Sequence, residues 1–414
     1  MTGLADCNNF FVSCERSRNH SLDGKAVVVL SNNDGCVVAR SNEAKTLGIK
    51  MGQPAFEIRE LTDSGRVIAL SGNHLLYREI SLQVHDIFRR YVPSTLDYSV
   101  DEAFLNVDGI PPGALLQIGL EIRKACLREA GIPVTIGFGR SKTLAKIVTE
   151  VCKKKREPVG MLSDTEATER LLDTLEIRDL WGIGRRLAKR LYQSGVYTIG
   201  DFYRADRHRI RRMLGINGEK SWMELHGLPC IELAHVEREL QQSISETRTF
   251  PYDVDDYDYL RARMAVYAAH CSQRLRAMKG KCSTVTAFLV TNRFHTANGF
   301  HAPEVTLRLT RPANDTPTIA AAAVEGLNRI FDTSLAYKRA GIVLGEIVAE
   351  NSVMPSLFDE AQPAREAAGR KLMQVIDRLN SETGHPRLRL ASQITISHKG
   401  YDDGYSISFG AERR

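Results

Sequence analysis

Apolar and polar positions along the chain alternate between two periods, and the switches between them divide the sequence into elements. Gly3–Phe11 starts as a short strand, and Lys25–Leu30 (KAVVVL) is a continuous apolar run of strand length ended by the turn-rich Ser31–Gly35. Asn42–Leu47 reads as a helix closed by Gly48, and Tyr98–Val107 as a strand or tight hairpin. In Pro112–Gly131, Leu115, Ile118, Ile122 and Cys126 recur at helical spacing, whereas Pro133–Phe138 alternates Val134, Ile136 and Phe138 as a half-buried strand would. Another helix opens at Ser141, its cap, with Leu144, Ile147, Val148 and Val151 on one face and Lys142, Lys146 and Lys153 on the other. Such a lysine stripe either reaches a polyphosphate or a DNA backbone, or is a solvated face.

Thr165–Leu233 is helical and rich in arginine. Strand-like Ser243–Phe250 then precedes a long helix with Leu260, Met264, Tyr267, Ala268, Cys271, Leu275 and Met278 on one face. Strands at Cys282–Thr291 and Pro303–Thr310, a helix at Thr318–Phe331 and a strand at Gly341–Val348 complete a β-α-β-β-α-β order, which predicts a ferredoxin-like domain. Glu350–Arg414 opens as a linker and contains one helix, Glu366–Leu379.

The length of 414 residues implies two to four domains, and 43% apolar with 26% charged residues is a soluble globular profile. No apolar run is long enough to span a membrane, and the first residues lack a basic start followed by an apolar stretch. A cytoplasmic location is therefore expected. The eight cysteines include no C-x-x-C pair, which argues against structural zinc and a disulfide framework. Net charge is only +6, but basic residues cluster at Lys153–Arg156, Arg178–Arg190, Arg207–Arg212 and Arg274–Lys281, a distribution suited to tracking phosphates.

Three acids carry the candidate chemistry. Asp6 sits in an apolar strand, where an unpaired carboxylate is costly unless a cation meets it. Asp101 and Glu102 are consecutive between β-forming residues, so two ligands on one site require a turn or bulge there. Oxygen ligands without His or Cys favour magnesium, and two such ions roughly 3.5–4 Å apart support in-line phosphoryl displacement. The lysine stripe would then neutralise a leaving pyrophosphate. This chemistry leaves polymerase, cyclase and nuclease open. Leu180-Trp181-Gly182-Ile183-Gly184, followed by Arg185, Arg186, Leu187, Lys189 and Leu191, has the helix-hairpin-helix pattern, in which Gly182, Gly184, Arg185, Arg186 and Lys189 contact the DNA backbone. A non-catalytic DNA-binding scaffold would have no use for buried acids, and a cyclase none for the hairpin.

Five stretches together resemble the Y-family of translesion DNA polymerases: DCNNFF (Asp6–Phe11), LSNNDGCVVAR (Leu30–Arg40) with Glu43-Ala44-Lys45, YSVDEAF (Tyr98–Phe104), SKTLAK (Ser141–Lys146) and DLWGIGRR (Asp179–Arg186). The resemblance implies an α+β right hand: a ferredoxin-like palm at residues 1–13 and 75–163, small fingers at 14–74, a helical helix-hairpin-helix thumb at 164–236, a β-α-β-β-α-β little finger at 237–349, and a linker and tail at 350–414. It implies error-prone synthesis past damaged template, with Asp6, Asp101 and Glu102 catalytic and holding two magnesium ions together with the carbonyl of Cys7. Phe10, Phe11, Cys36, Lys45 and Lys153 would face the nucleotide: Phe11 as a steric gate against a ribose 2′-OH, Lys45 and Lys153 on the triphosphate, Cys36 above the nascent base pair. Asn42 stands where many members use Tyr to bond a phosphate. Implied partners are primed DNA, deoxynucleotides, a small processed accessory dimer, a recombinase filament and a sliding clamp. The clamp would be met by Leu357 and Phe358 of Met354-Pro355-Ser356-Leu357-Phe358, which lacks the leading Gln of the usual motif.

Overall fold

The structure is a computed structural model describing residues 1–31, 35–232, 240–294, 299–352, 362–383 and 388–393. The chain divides into two compact units, residues 1–235 and 236–414.

The first unit opens with strand β1 (Thr2–Cys7), helix α1 (Phe10–Arg18), strands β2 (Val27–Leu30) and β3 (Val37–Arg40), helices α2 (Asn42–Thr46) and α3 (Arg59–Asp63), and strand β4 (Ile68–Ser71). Helix α4 (His74–Arg89), strands β5 (Ser94–Asp97) and β6 (Glu102–Asn106), helix α5 (Pro112–Ala130), strand β7 (Val134–Gly139), helix α6 (Lys142–Lys155) and strand β8 (Val159–Met161) follow. Helices α7 (Thr165–Asp173), α8 (Arg185–Gln193), α9 (Ile199–Arg204) and α10 (Arg207–Leu225) finish it, α10 being interrupted at Gly215. The first segment is strand only to Cys7. Asn9 takes a left-handed conformation (φ 50°) and starts α1, so Phe10 and Phe11 are helical.

The main sheet has the order β5-β6-β1-β7-β8, and a smaller sheet, β3-β2-β4, packs its own core from Val28, Leu30, Val37, Ile49 and Ile58. Period two sorts the main sheet's residues. Ala5, Cys7, Val134, Ile136 and Phe138 join a core with Leu115 and Ile122 of α5, while Leu4 and Phe104 meet Ala145 of α6 on the other face. Pro133–Phe138 is thus not half-buried as its alternation suggests, because every residue of β7 is buried. Thr135, on the α6 side, is tolerated there by donating to Asn8 Oδ1 at 2.9 Å. Helix α6 lies directly on β7 because Gly137 and Gly139 face it: a Cβ at Gly137 would stand 2.4 Å from the Thr149 amide, and one at Gly139 2.7 Å from that of Ala145.

The second unit contains β9 (Ser243–Val254), α11 (Tyr257–Ala277), β10 (Gly280–Thr291), β11 (Glu304–Ala313), α12 (Thr316–Ile330), β12 (Tyr337–Gly345), the short β13 (Val348–Ala349) and α13 (Gln362–Thr383). The β-α-β-β-α-β order is present, and the antiparallel sheet runs β11-β10-β12-β9. The motif's second and fourth strands are therefore central, whereas a ferredoxin-like sheet centres its first and third. One face packs on α11 and α12 through Leu260, Met264, Ala268, Ile319, Ala323 and Leu327. Among the described residues no helix is long and apolar enough to cross a membrane.

Candidate active site

Antiparallel register places Asp6 of β1 directly opposite Glu102 of β6, and opposed residues share a face of the sheet. The parity that sends Leu4 and Phe104 toward α6 also sends Asp6 and Glu102 there. Asp101 lies in the turn just before β6. The amides of Tyr98 and Ser99 both donate to the Glu102 carbonyl, at 3.0 and 3.1 Å, which is the local irregularity that two consecutive acids require. The Cys7 amide donates to the Asp101 carbonyl at 2.9 Å, drawing Asp101 against the end of β1. Ser99 Oγ donates to Asp101 Oδ1 at 2.6 Å and accepts from the amides of Asp101 and Glu102, so the turn is internally braced.

Two lysines of α6 answer these acids. Lys153 Nζ stands 2.5 Å from Asp6 Oδ2, and Lys146 Nζ 2.5 Å from Glu102 Oε1 and 5.3 Å from the Tyr98 ring centroid. Lys142, on the same stripe, goes elsewhere: its Nζ donates to the Ile231 carbonyl at 2.8 Å. Asp6 is only 5% exposed, and burial pushes its carboxyl up to about 8, opposed by Lys153 and reinforced by the touching Glu102 carboxyl. Burial pulls the Lys153 ammonium down, but Asp6 and Glu150 outweigh it and hold it above its ordinary value.

Two carboxyls in contact on a buried sheet end are what a divalent cation relieves. The available donors are hard oxygens: three carboxyls and the carbonyl of Cys7, whose thiol burial keeps protonated. Among the described residues no three acidic, His or Cys side chains already form a closed metal cage. Lys153, Lys146 and Ser99 hold the carboxyls instead.

Beside the acids, Lys45 Nζ donates to Asn9 Oδ1 at 2.6 Å, and Asn9 Nδ2 to Asn42 Oδ1 at 3.0 Å. Burial together with the nearby charges of Arg40 and Lys153 lowers the Lys45 ammonium, which marks a cationic cluster next to the acidic one. Phe11 is half-buried and stacks on Tyr77 at 4.3 Å, with His74 edge-on at 5.7 Å. Phe10, expected to face a nucleotide, is 4% exposed and belongs to the core, so its side chain offers nothing outward. Cys36 is half-buried and forms an isolated β-bridge with Pro54.

The G-I-G turn precedes α8 as its spacing predicts. Gly182 has φ 87°, Ile183 and Leu191 are buried, and Arg185, Arg186 and Lys189 are exposed past Gly184, the N-cap. Trp181 fastens this hairpin to the acidic turn: its Nε1 donates to Tyr98 Oη at 3.2 Å, and their rings meet edge to face. The basic run Arg207–Arg212 is only partly free, because Arg207 and Arg211 pair with the buried Glu219 at 2.8 and 2.5 Å. Arg276, in another basic cluster, is likewise held by Asp377 at 2.7 Å. Leu357 and Phe358 lie outside the described residues. Sequence reasoning missed Tyr77, His74, Asn9 and the Trp181–Tyr98 contact. Asn9 and Trp181 stand inside the DCNNFF and DLWGIGRR stretches, whereas Tyr77 carries no local signal.

Residues 5–150 match the impB/mucB/samB family and residues 241–357 the impB/mucB/samB family C-terminal domain. The chain is 35% identical to Protein UmuC of Salmonella typhimurium over 95% of its own length and 93% of that protein. It is 34% identical to Protein SamB of the same organism over 92% and 90%. It is also 25% identical to DNA polymerase IV 2 of Halalkalibacterium halodurans over 94% and 93%. Among solved structures, a Y-family DNA polymerase chimera of Dbh and Dpo4 superposes with a TM-score of 0.68 at 21% identity, covering 84% of this chain and 99% of that one. An insertion ternary complex of Dbh DNA polymerase gives 0.53 at 21% identity over 84% and 99%.

Proposed function

Since the chain belongs to the impB/mucB/samB family and is an error-prone translesion DNA polymerase of SOS mutagenesis, we propose that Asp6, Asp101 and Glu102 are its catalytic carboxylates and hold two magnesium ions. When bound, the ions lower the pKa of the attacking hydroxyl and stabilise charge on the leaving oxygens. The chain's own groups do the rest. Asp6 and Asp101, brought together by the Cys7–Asp101 hydrogen bond, would hold the ions, with Glu102 contributing on the side of the primer end and the Cys7 carbonyl on the side of the triphosphate. Lys153 and Lys146, which pair with Asp6 and Glu102, would with Lys45 beside them supply positive charge to the triphosphate.

Phe11, backed by Tyr77, lies under the sugar and excludes a 2′-OH, and Cys36 leaves room above a damaged base. Residues 1–13 and 75–163 act as palm, 14–74 as fingers, 164–236 as thumb and 237–349 as little finger. Gly182, Gly184, Arg185, Arg186 and Lys189 grip the DNA backbone. A UmuD-like processed accessory dimer, a recombinase filament and a sliding clamp touched by Leu357 and Phe358 are the proposed partners, in the cytoplasm.

The observation carrying this reading is the in-register Asp6–Glu102 pair with Asp101 bonded to the same strand end, faced by two lysines of one helix. Primer extension on damaged template, with and without accessory proteins, tests it. Asp101→Asn is expected to abolish magnesium-dependent extension while DNA binding persists. Extension at the wild-type rate by that variant, or degradation of primed template without nucleotides, would sink it.

A further inference from the structure

Glu224, at the end of α10, is fully buried, which is costly for a carboxylate unless its lone pairs are met. They are met by three backbone amides: Oε2 accepts from Thr143 at 3.0 Å, and Oε1 from Cys230 at 2.9 Å and Ile231 at 3.1 Å. The chain returns to it through a turn at Gly227, whose φ of 75° favours glycine. Thr143 lies in the first turn of α6, where amides have no partner inside the helix. Around this carboxyl, Ser141 Oγ donates to the Glu224 carbonyl at 2.6 Å, and Lys142 Nζ to that of Ile231 at 2.8 Å. One side chain of α10 thus closes the N-terminus of the helix whose later turns carry Lys146 to Glu102 and Lys153 to Asp6. A one-residue slip of a helix moves every side chain by about 1.5 Å and about 100°. The height and rotation of α6 therefore decide whether those ammonium groups point into the site.

We propose that Glu224 is a positioning residue for the incoming triphosphate, acting through α6 by fixing how Lys146 and Lys153 enter the active site. It rests on the assignment of those lysines to the triphosphate made above.

Single-nucleotide incorporation by the full chain on an undamaged primed template provides the test. Glu224→Gln keeps the shape but turns one acceptor oxygen into a donor, so at least one amide loses its partner. The expected result is a fall in kcat/KM for the nucleotide of roughly tenfold, with the Kd for primed template unchanged within about twofold. In a Lys153→Ala background the same substitution should cost less than about threefold, because one of the two lysines being positioned is gone. An undiminished penalty in that background, or none in the wild type, overturns the proposal. If Lys153→Ala alone leaves nucleotide KM unchanged, the triphosphate assignment fails first and the positioning role with it. Should Glu224→Gln not fold, as read by its thermal melt, Lys142→Ala cuts the neighbouring tie to Ile231 alone. It is expected to give a smaller loss with the same dependence on Lys153, and an additive loss overturns the proposal.

Discussion

Raising the pH from 7 to 9 should tighten divalent-ion binding, and the size of the effect follows from Asp6. Its carboxyl is pushed up to about 8 by burial and by the touching Glu102, in spite of Lys153. At pH 7 only about one Asp6 in ten is then ionised, and at pH 9 about nine in ten. An ion that needs the carboxylate must expel a proton at pH 7, which costs about 1.4 kcal/mol, and almost none at pH 9. Affinity should therefore rise roughly tenfold across that interval. Lys153 does not cancel this, since its ammonium is held above its ordinary value and stays charged throughout. Titration calorimetry with Mg2+ in two buffers of different ionisation enthalpy reads both quantities. About one proton should be released per binding event at pH 7 and close to none at pH 9, and Asp6→Asn should remove the dependence. Equal affinity at both pH values with no proton release would refute the assignment of a buried, protonated Asp6 as an ion ligand.

The same carboxyl makes the ion-free protein less stable as pH rises. Between the ordinary value of 3.8 and about 8, the folded chain holds a proton that the unfolded chain has lost. Chelated protein melted from pH 5 to 9 should lose stability up to about pH 8 and then level off, and Asp6→Asn should flatten the curve. Phe11→Ala removes the ring stacked on Tyr77 and should admit ribonucleotides, raising their incorporation relative to deoxynucleotides by at least about tenfold. Unchanged sugar discrimination in a competition assay would show the gate to lie elsewhere. Replacing the exposed Arg185, Arg186 and Lys189 with Ala should lower the slope of log affinity against log salt by up to about three, at about 0.9 per phosphate contact. An unaltered slope would remove the hairpin from the DNA interface.

What could be read from the sequence was whatever has a local cause. An Asp inside an apolar strand, two consecutive acids that require a turn, a Ser-capped helix with lysines opposite its apolar face, and a G-I-G turn before a basic helix all depend on neighbours, and each is present in the fold. Less legible were features set by distant parts of the chain. Nothing near Pro133–Phe138 announces that α5 and α6 cover both faces of β7, so its alternation suggests a solvated side that does not exist. Lys142 shares the spacing of Lys146 but turns to Ile231, because a segment beyond α10 folds back onto the start of α6. Arg207 and Arg211 look like free phosphate ligands until Glu219, on the far side of the break at Gly215, is seen to hold them. Tyr77 reaches Phe11 from a helix more than sixty residues away, a contact without a local pattern.

Anomalous diffraction from crystals grown with Mn2+, primed template and a non-hydrolysable deoxynucleotide tests most directly whether these acids grip two ions. Two peaks roughly 3.5–4 Å apart are expected, both touching Asp6 and Asp101, one also touching Glu102 and the other the Cys7 carbonyl, with Lys153 moved off Asp6. No peak among those residues, with Lys153 still on Asp6 and the nucleotide bound elsewhere, would contradict it.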